Sequence, residues 1–164
     1  MSRTLTIPVS DLVVDTRNPR LVEPDKSQRD ALRDLAASQG KKLVALAEDA
    51  IGYGLNPSEL PIVMRTKDQR YAVLEGNRRL TALRALENPD LLVDAVQPSV
   101  LAKFKALSGE YLKNPVESVL CWVVDNRKEA NHWIELRHTG ENKGAGIVRW
   151  ERALARTDHR GQAG

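Results

Sequence analysis

The sequence predicts an α+β fold in which a small mixed β-sheet packs against several helices. Apolar runs of strand length, segments whose apolar residues recur at helical spacing, and glycine or proline between them support this class. The chain has 164 residues, of which 41% are hydrophobic, enough for one domain with a core. Because we find no internal repeat and no linker, we expect a single domain over residues 1–157 and a flexible tail over 158–164.

The first part of the chain predicts an edge strand, a turn and a capped helix. Residues 5–9 alternate like a short strand, and Pro8 suits the edge of a sheet. A turn follows at residues 18–20. Ser27 can cap a first helix, and Gly40 can end it. The apolar face of this helix consists of Ala31, Leu32, Leu35 and Ala36.

The middle of the chain predicts a helix, a β-hairpin and a further helix. The hairpin is indicated by two apolar runs that flank a polar stretch. The first helix begins at about Lys41 and is stopped by Gly52 and Gly54. The hairpin consists of residues 61–65 and 71–74. The second helix begins at Asn77, ends before Pro89 and buries Leu80, Leu83 and Leu86.

The last part of the chain predicts short helices around one buried strand. Residues 89–115 are weakly patterned and indicate two short helices, and the continuous apolar run at residues 119–124 indicates a buried strand. Pro98, Gly109 and Pro115 interrupt the first of these stretches. A helix is predicted over 128–137, with Ala130, Trp133 and Ile134 facing inward. A glycine-rich loop over 138–146 then leads to a last helix over 147–156, which has Ile147, Trp150 and Leu154 on its apolar face.

Composition narrows the function classes. Formal net charge is +3, which mildly favours an anionic partner, and an aromatic content of 4% argues against a surface that stacks many bases. The single cysteine, Cys121, excludes an internal disulfide, and we expect it to be a core residue rather than a nucleophile. The histidines show no zinc-ligand spacing. Since no apolar run is long enough to span a bilayer, we expect no membrane partner and a cytoplasmic location.

Residues 75–79 read Glu-Gly-Asn-Arg-Arg and lie between an apolar strand and a helix. Cations at a helix N-terminus oppose the helix dipole, whereas a bound anion accepts the free N–H groups and pairs with the guanidinium groups. Gly76 lets the backbone come close to a ligand. The basic excess of residues 65–84 coincides with this segment. We interpret it as a phosphate or nucleic-acid-backbone site; arginines solvated on an ordinary helix are the alternative.

Three separated pieces together resemble the N-terminal domain of the ParB/sulfiredoxin superfamily. They are Asn18-Pro19-Arg20, Glu75-Gly76-Asn77-Arg78-Arg79 and Glu141-Asn142. The resemblance covers most of residues 5–155 and implies a ParB/sulfiredoxin-like fold. The chain differs from the family pattern at Asn77, where a glutamate is usual, and at Thr81, where an arginine is frequent. Sulfiredoxin has its catalytic cysteine at the position of Asn77, so sulfiredoxin activity is not expected.

The resemblance implies a pocket for a nucleoside triphosphate such as CTP or ATP, with Mg²⁺ as cofactor, in a DNA-related role. Arg78 and Arg79 would clamp the phosphates beside Gly76 and Asn77, and Asn18 and Arg20 would help to enclose the ligand. Glu141 and Asn142 would hold the metal and, with Glu75, carry any slow hydrolysis. A ParB-like nuclease that uses Glu75, Glu141 and His138 is the first alternative.

A non-catalytic DNA- or partner-binding adaptor is the second alternative. Arg149, Arg152 and Arg156 recur at helical spacing and could contact DNA, although such stripes are usually solvated faces. Gly140, Gly144 and Gly146 could form an anion nest or a flexible connection. A homodimer or a partner domain beyond residue 164 would also suit the family.

Overall fold

The computed structural model describes residues 3–17 and 27–138, which contain a five-stranded sheet and five α-helices. The strands are β1 (Arg3–Pro8), β2 (Leu12–Val14), β3 (Ile62–Arg65), β4 (Tyr71–Glu75) and β5 (Ser118–Val124). The helices are α1 (Gln28–Gln39), α2 (Lys41–Tyr53), α3 (Asn77–Glu87), α4 (Pro98–Tyr111) and α5 (Arg127–His138). Two 3₁₀ turns lie at Val9–Asp11 and Pro89–Leu92. The predicted α+β class is confirmed.

The sheet is mixed, with the strand order β1-β5-β3-β4-β2. Strands β3 and β4 form the predicted antiparallel hairpin, and β1 is antiparallel to β5. The pairs β2–β4 and β3–β5 are parallel. Strand β1 lies at one edge, as Pro8 predicted, with Pro8 opposite Ser118 at the end of the ladder. Proline is tolerated there because an edge strand bonds on one side only.

The chain divides into two compact units, residues 1–127 and 128–164. In the first unit, α3 contacts β2 and the helices α1, α2 and α4. Its core includes the fully buried side chains of Leu43, Val63, Val73, Leu83 and Phe104. In the second unit, the described residues are those of α5 from residue 128 onward. None of the helices within the described residues is long and apolar enough to cross a membrane.

Helix α1 begins and ends as the sequence predicts. The hydroxyl of Ser27 accepts a hydrogen bond from the backbone N–H of Asp30 at 3.2 Å, which caps the first turn. Gly40 follows the helix with a φ of +53°, a conformation that favours glycine, and its N–H donates to the carbonyl of Ala36. The short polar cap and the flexible glycine therefore set both boundaries.

Strand β2 was not predicted, because its apolar run is only three residues long. Its outer edge is completed by Gln28 rather than by another strand. The Gln28 side-chain Nε2 donates to the Val14 carbonyl at 2.8 Å, and the Val14 N–H donates to Gln28 Oε1 at 2.7 Å. This pair of bonds imitates a strand neighbour and covers backbone groups that an edge otherwise leaves open.

Three other predictions need correction. Residues 89–115 contain one 3₁₀ turn and one long helix, α4, which includes Gly109, whereas we expected two short helices. Gly52 lies within α2, so Gly54 alone ends that helix. Trp133 was expected to face inward, but it is 51% exposed and makes an edge contact with His132. Helical spacing places a residue on a face without saying whether that face is covered.

Strand β5 is only partly buried, although its uninterrupted apolar sequence predicted a buried strand. Cys121 and Val123 lie in the core, whereas Leu120 is 46% exposed and Trp122 is half-buried. The strand has partners on both sides in the sheet, β1 and β3. Its exposed face therefore carries apolar residues that periodicity could not assign to the surface.

A partly buried ion pair joins the segment after β2 to the first residue of α5. The guanidinium of Arg127 donates to both carboxylate oxygens of Asp15, at 2.6 and 2.7 Å. The Asp15 side chain is 7% exposed and that of Arg127 is 37% exposed. The hydrogen bonds to Asp15 raise the pKa of Arg127 despite its partial burial. No sequence pattern indicated this contact, because the partners are 112 residues apart.

Candidate functional site at the start of helix α3

The bend between β4 and α3 is made by Gly76 in a left-handed conformation, with φ +108° and ψ 12°. A Cβ atom at this position would lie 3.2 Å from the Cβ of Pro61 and 3.4 Å from its Cα. Positive φ and lack of space therefore both favour glycine. These two reasons are internal to the fold and would apply without any ligand.

The first turn of α3 has no capping side chain and no acidic residue. The first intrahelical bond runs from the N–H of Leu80 to the carbonyl of Gly76, at 3.2 Å. The N–H groups of residues 77–79 consequently have no intrahelical acceptor. By contrast, the first turn of α1 has both the Ser27 cap and an acidic residue, Asp30. The start of α3 is therefore an electropositive helix end that the helix itself does not compensate.

The two arginines of this turn have different environments. Arg78 is exposed and makes no ion pair within the described part of the chain. The Arg79 side chain is only 15% exposed and is bound to Glu59 in the segment before β3. Its Nη2 donates to the Glu59 carboxylate at 2.8 Å, and its Nη1 donates to the Glu59 backbone carbonyl. The sequence treated both arginines alike and gave no signal for Glu59.

Asn77 is buried, with 6% exposure, although it is the first residue of α3. Its Nδ2 donates to the Val73 carbonyl at 2.7 Å, which ties the helix start to β4. Its Oδ1 is also buried and has no hydrogen-bond donor among the described residues. A buried oxygen of this kind costs free energy until it receives a hydrogen bond. The side chain thus supports the bend and retains one open acceptor.

Thr81 and Arg84 stabilise the fold rather than extend the exposed basic surface. Thr81 is fully buried, and its hydroxyl donates to the carbonyl of Asn77 at 2.7 Å. The Nη2 of Arg84 donates to the carbonyls of Val9 and Leu12 at 2.9 and 2.8 Å. Part of the basic excess seen in the sequence therefore has a structural role.

The structure describes some of the other predicted site residues and not the rest. Among the described ones, Glu75 is half-buried at the end of β4, and His138 is exposed at the end of α5. The predicted residues outside are Asn18, Arg20, Gly140, Glu141, Asn142, Gly144, Gly146, Arg149, Trp150, Arg152 and Arg156. The structure accordingly brings together Gly76, Asn77, Arg78 and Arg79.

Over residues 3–17 and 27–138, no group of three or more His, Cys, Asp or Glu side chains could hold a metal ion. The expected ligands Glu141 and Asn142 are not among these residues. What the described start of α3 offers is guanidinium and amide donors, which suit an anion rather than a cation.

Cys121 is a core residue, as predicted. It is fully buried in β5, and burial raises the pKa of its thiol to about 11. A thiol of this kind stays protonated near neutral pH, and the thiolate is the nucleophilic form. Burial and the raised pKa therefore both disfavour Cys121 as a nucleophile at ordinary pH.

Comparisons of this chain with protein-family models, with curated protein sequences and with solved structures gave no match in any of the three.

Proposed function

We propose that this chain binds the phosphate groups of a nucleoside triphosphate at the start of α3, together with Mg²⁺ and in a DNA-related role. The observation that carries the proposal is the exposed Arg78, without an ion pair within the described residues, in a first turn that lacks both a cap and an acid. The ParB/sulfiredoxin resemblance of the sequence, which points to the same residues, is the second support.

Without a bound anion, the start of α3 is electrostatically unfavourable. Each cation at a helix N-terminus costs about 0.3–1 kcal/mol against the helix dipole. A phosphate group reverses this cost, because it accepts the N–H groups of residues 77–79 and pairs with guanidinium donors. Arg78 and Arg79 are neighbours, so one polyphosphate could engage both.

Solvated cations at a helix start are the competing explanation, and the chain contains a matched example. Helix α2 begins with Lys41 and Lys42 after Gly40, again without a side-chain cap or an acid in the first turn. Both lysines are exposed. Unlike α3, however, α2 has no arginine in its own sequence. Lysine is also a flexible point charge, whereas arginine offers a planar fork that matches phosphate.

The test is a thermal-shift panel of ATP, GTP, CTP and UTP, with and without Mg²⁺. We expect one nucleotide with Mg²⁺ to stabilise the wild type, by about 2.7 kcal/mol at 100 times the dissociation constant. Arg78→Ala should abolish the shift and Lys42→Ala should leave it unchanged. The proposal fails if no nucleotide produces a shift, if Arg78→Ala keeps it, or if both variants lose it equally.

Slow hydrolysis is the activity that we propose for the bound nucleotide, with Glu141 and Asn142 as ligands of Mg²⁺. The metal would supply charge neutralisation between the phosphates. Phosphate release and plasmid cleavage should be measured on one preparation, with Glu141→Gln as the variant. Mg²⁺-dependent phosphate release that Glu141→Gln removes would support the NTPase. Plasmid cleavage that Glu141→Gln removes would instead support the nuclease, and binding without either reaction would support a switch.

A further inference from the structure

The segment over residues 54–61, before β3, carries an acidic side chain to the candidate site. Glu59 accepts hydrogen bonds from Arg79 with both its backbone carbonyl and its carboxylate. The segment is held at both sides of Glu59. Asn56 Oδ1 accepts from the N–H and hydroxyl of Ser58 at 3.0 and 2.7 Å, and Pro61 lies against Gly76. Glu59 is therefore presented to Arg79 by an ordered turn.

The two acceptors of Glu59 have different consequences. The carbonyl belongs to a backbone held between the Asn56 turn and the bond from Trp122 N–H to the Pro61 carbonyl, at 2.9 Å. It can position the Arg79 guanidinium without any charge. The carboxylate adds a negative charge to the same guanidinium, and the Glu59 side chain is 47% exposed. The carboxylate is therefore within reach of solvent although Arg79 is largely buried, so an anion that arrives from solution can compete with it for the guanidinium.

We propose that the Glu59 carboxylate is a built-in competitor of the phosphate ligand: it occupies Arg79 in the free protein and is displaced when phosphate binds. This inference rests on the proposed phosphate site. A phosphate that binds at residues 77–79 shares the Arg79 guanidinium with a carboxylate already 2.8 Å from its Nη2. Two anions at one cation repel each other, and partial burial reduces screening of that repulsion.

Displacement also couples ligand binding to the 54–61 segment. When the carboxylate leaves Arg79, this segment loses that charged contact with α3 and keeps the bond from Arg79 to the Glu59 carbonyl. Phosphate binding thereby changes the position of the Glu59 carboxylate, and this half-exposed side chain is accessible to other molecules. The carboxylate consequently sets the affinity of the site and changes its own position in response to occupancy.

The test is isothermal titration with tripolyphosphate in the absence of Mg²⁺, which isolates the anion contacts from base and metal. Glu59→Gln keeps the side-chain oxygen and removes the charge. We expect it to bind tripolyphosphate about tenfold more tightly than the wild type, equivalent to about 1.4 kcal/mol. Glu48→Gln is the matched control, since Glu48 is exposed on α2 and the net charge changes equally. Its affinity should remain within about twofold of wild type, which is about 0.4 kcal/mol.

A second measurement uses the wild type alone. Hydrogen exchange at residues 54–61 should rise on saturation with tripolyphosphate if the carboxylate is displaced, and exchange at the first turn of α3 should fall. Slower exchange over 54–61 would overturn the inference, because the segment would then close over the ligand.

The outcomes distinguish the inference from the function on which it rests. If the wild type binds tripolyphosphate and Arg78→Ala does not, yet Glu59→Gln binds equally or more weakly, the competitor role is wrong and the phosphate site stands. If neither wild type nor Glu59→Gln binds, both proposals fall. Binding that appears only in Glu59→Gln, and that Arg78→Ala removes in that background, would support both.

Discussion

Gly76 is required by the backbone at the point where the candidate site begins, and its replacement has a calculable cost. An L-residue in the left-handed region loses about 1–2 kcal/mol. An added methyl group 3.2 Å from Pro61 Cβ and 3.4 Å from Pro61 Cα must also displace packed atoms, at about 1–3 kcal/mol. We therefore expect Gly76→Ala to lower the free energy of unfolding by roughly 2–5 kcal/mol.

Gly52→Ala is the matched control, because the same substitution should have the opposite sign. Gly52 lies within α2, and a Cβ there would meet no atom within 4 Å. Alanine is favoured over glycine in a helix, so stability should rise by about 0.5–1 kcal/mol. Urea denaturation followed by circular dichroism, without ligand, measures both variants. A loss below about 1 kcal/mol for Gly76→Ala would refute the reasoning, since that is less than the left-handed strain alone.

Three further predictions concern the core, the ion pair and the sheet edge. The buried Cys121 thiol, whose pKa is raised from 9.0 to about 11, stays protonated in the folded chain while it ionises in the unfolded chain. As the pH rises from 9 to 11, the free energy of unfolding of the wild type should therefore fall by up to about 2–3 kcal/mol relative to that of Cys121→Ala. Urea denaturation across this pH range measures the difference, and equal pH profiles for the two proteins would contradict the prediction. Arg127→Met should destabilise more than Asp15→Asn, because it leaves the buried carboxylate without its charge partner, and the reverse order of melting temperatures would contradict the observed burial. Gln28→Ala should cost about 1–2 kcal/mol and speed hydrogen exchange at Val14, whose N–H bonds to Gln28, whereas unchanged exchange would show that the edge is closed otherwise.

The elements that the sequence predicted are those encoded by residues close together in the chain. Ser27 caps α1 through a neighbour three residues away, and the hairpin of β3 and β4 follows from two adjacent apolar runs. Strand β2 was missed because its identity depends on pairing with β4, about sixty residues further on, and on the Gln28 side chain. Trp133 was misassigned because the exposure of a helix face depends on what the rest of the chain covers.

The candidate site was likewise predicted only where its residues are close together in the chain. The order of strand, glycine and arginine-containing helix was predicted, because these residues are consecutive. The partner of Arg79 was not predicted, because Glu59 is twenty residues away and belongs to a segment with no periodic pattern. The role of Arg84 was also missed, because its acceptors are carbonyls more than seventy residues away. Charge density in a sequence counts cations without showing which ones the fold already uses.

This difference decides which arginine should be replaced to test the site. Arg79→Ala would remove a guanidinium that is bound to Glu59, so lost ligand binding could reflect a displaced 54–61 segment as readily as a lost phosphate contact. Arg78 is exposed and has no ion pair within the described part of the chain, so its replacement leaves the known contacts intact. If α3 starts with arginines because of a ligand, Arg78→Ala should weaken binding and should slightly stabilise the free protein, by about 0.3–1 kcal/mol, through relief of the helix dipole. A stability change in that direction together with unchanged ligand binding would show that Arg78 is a solvated cation and that the anion binds elsewhere.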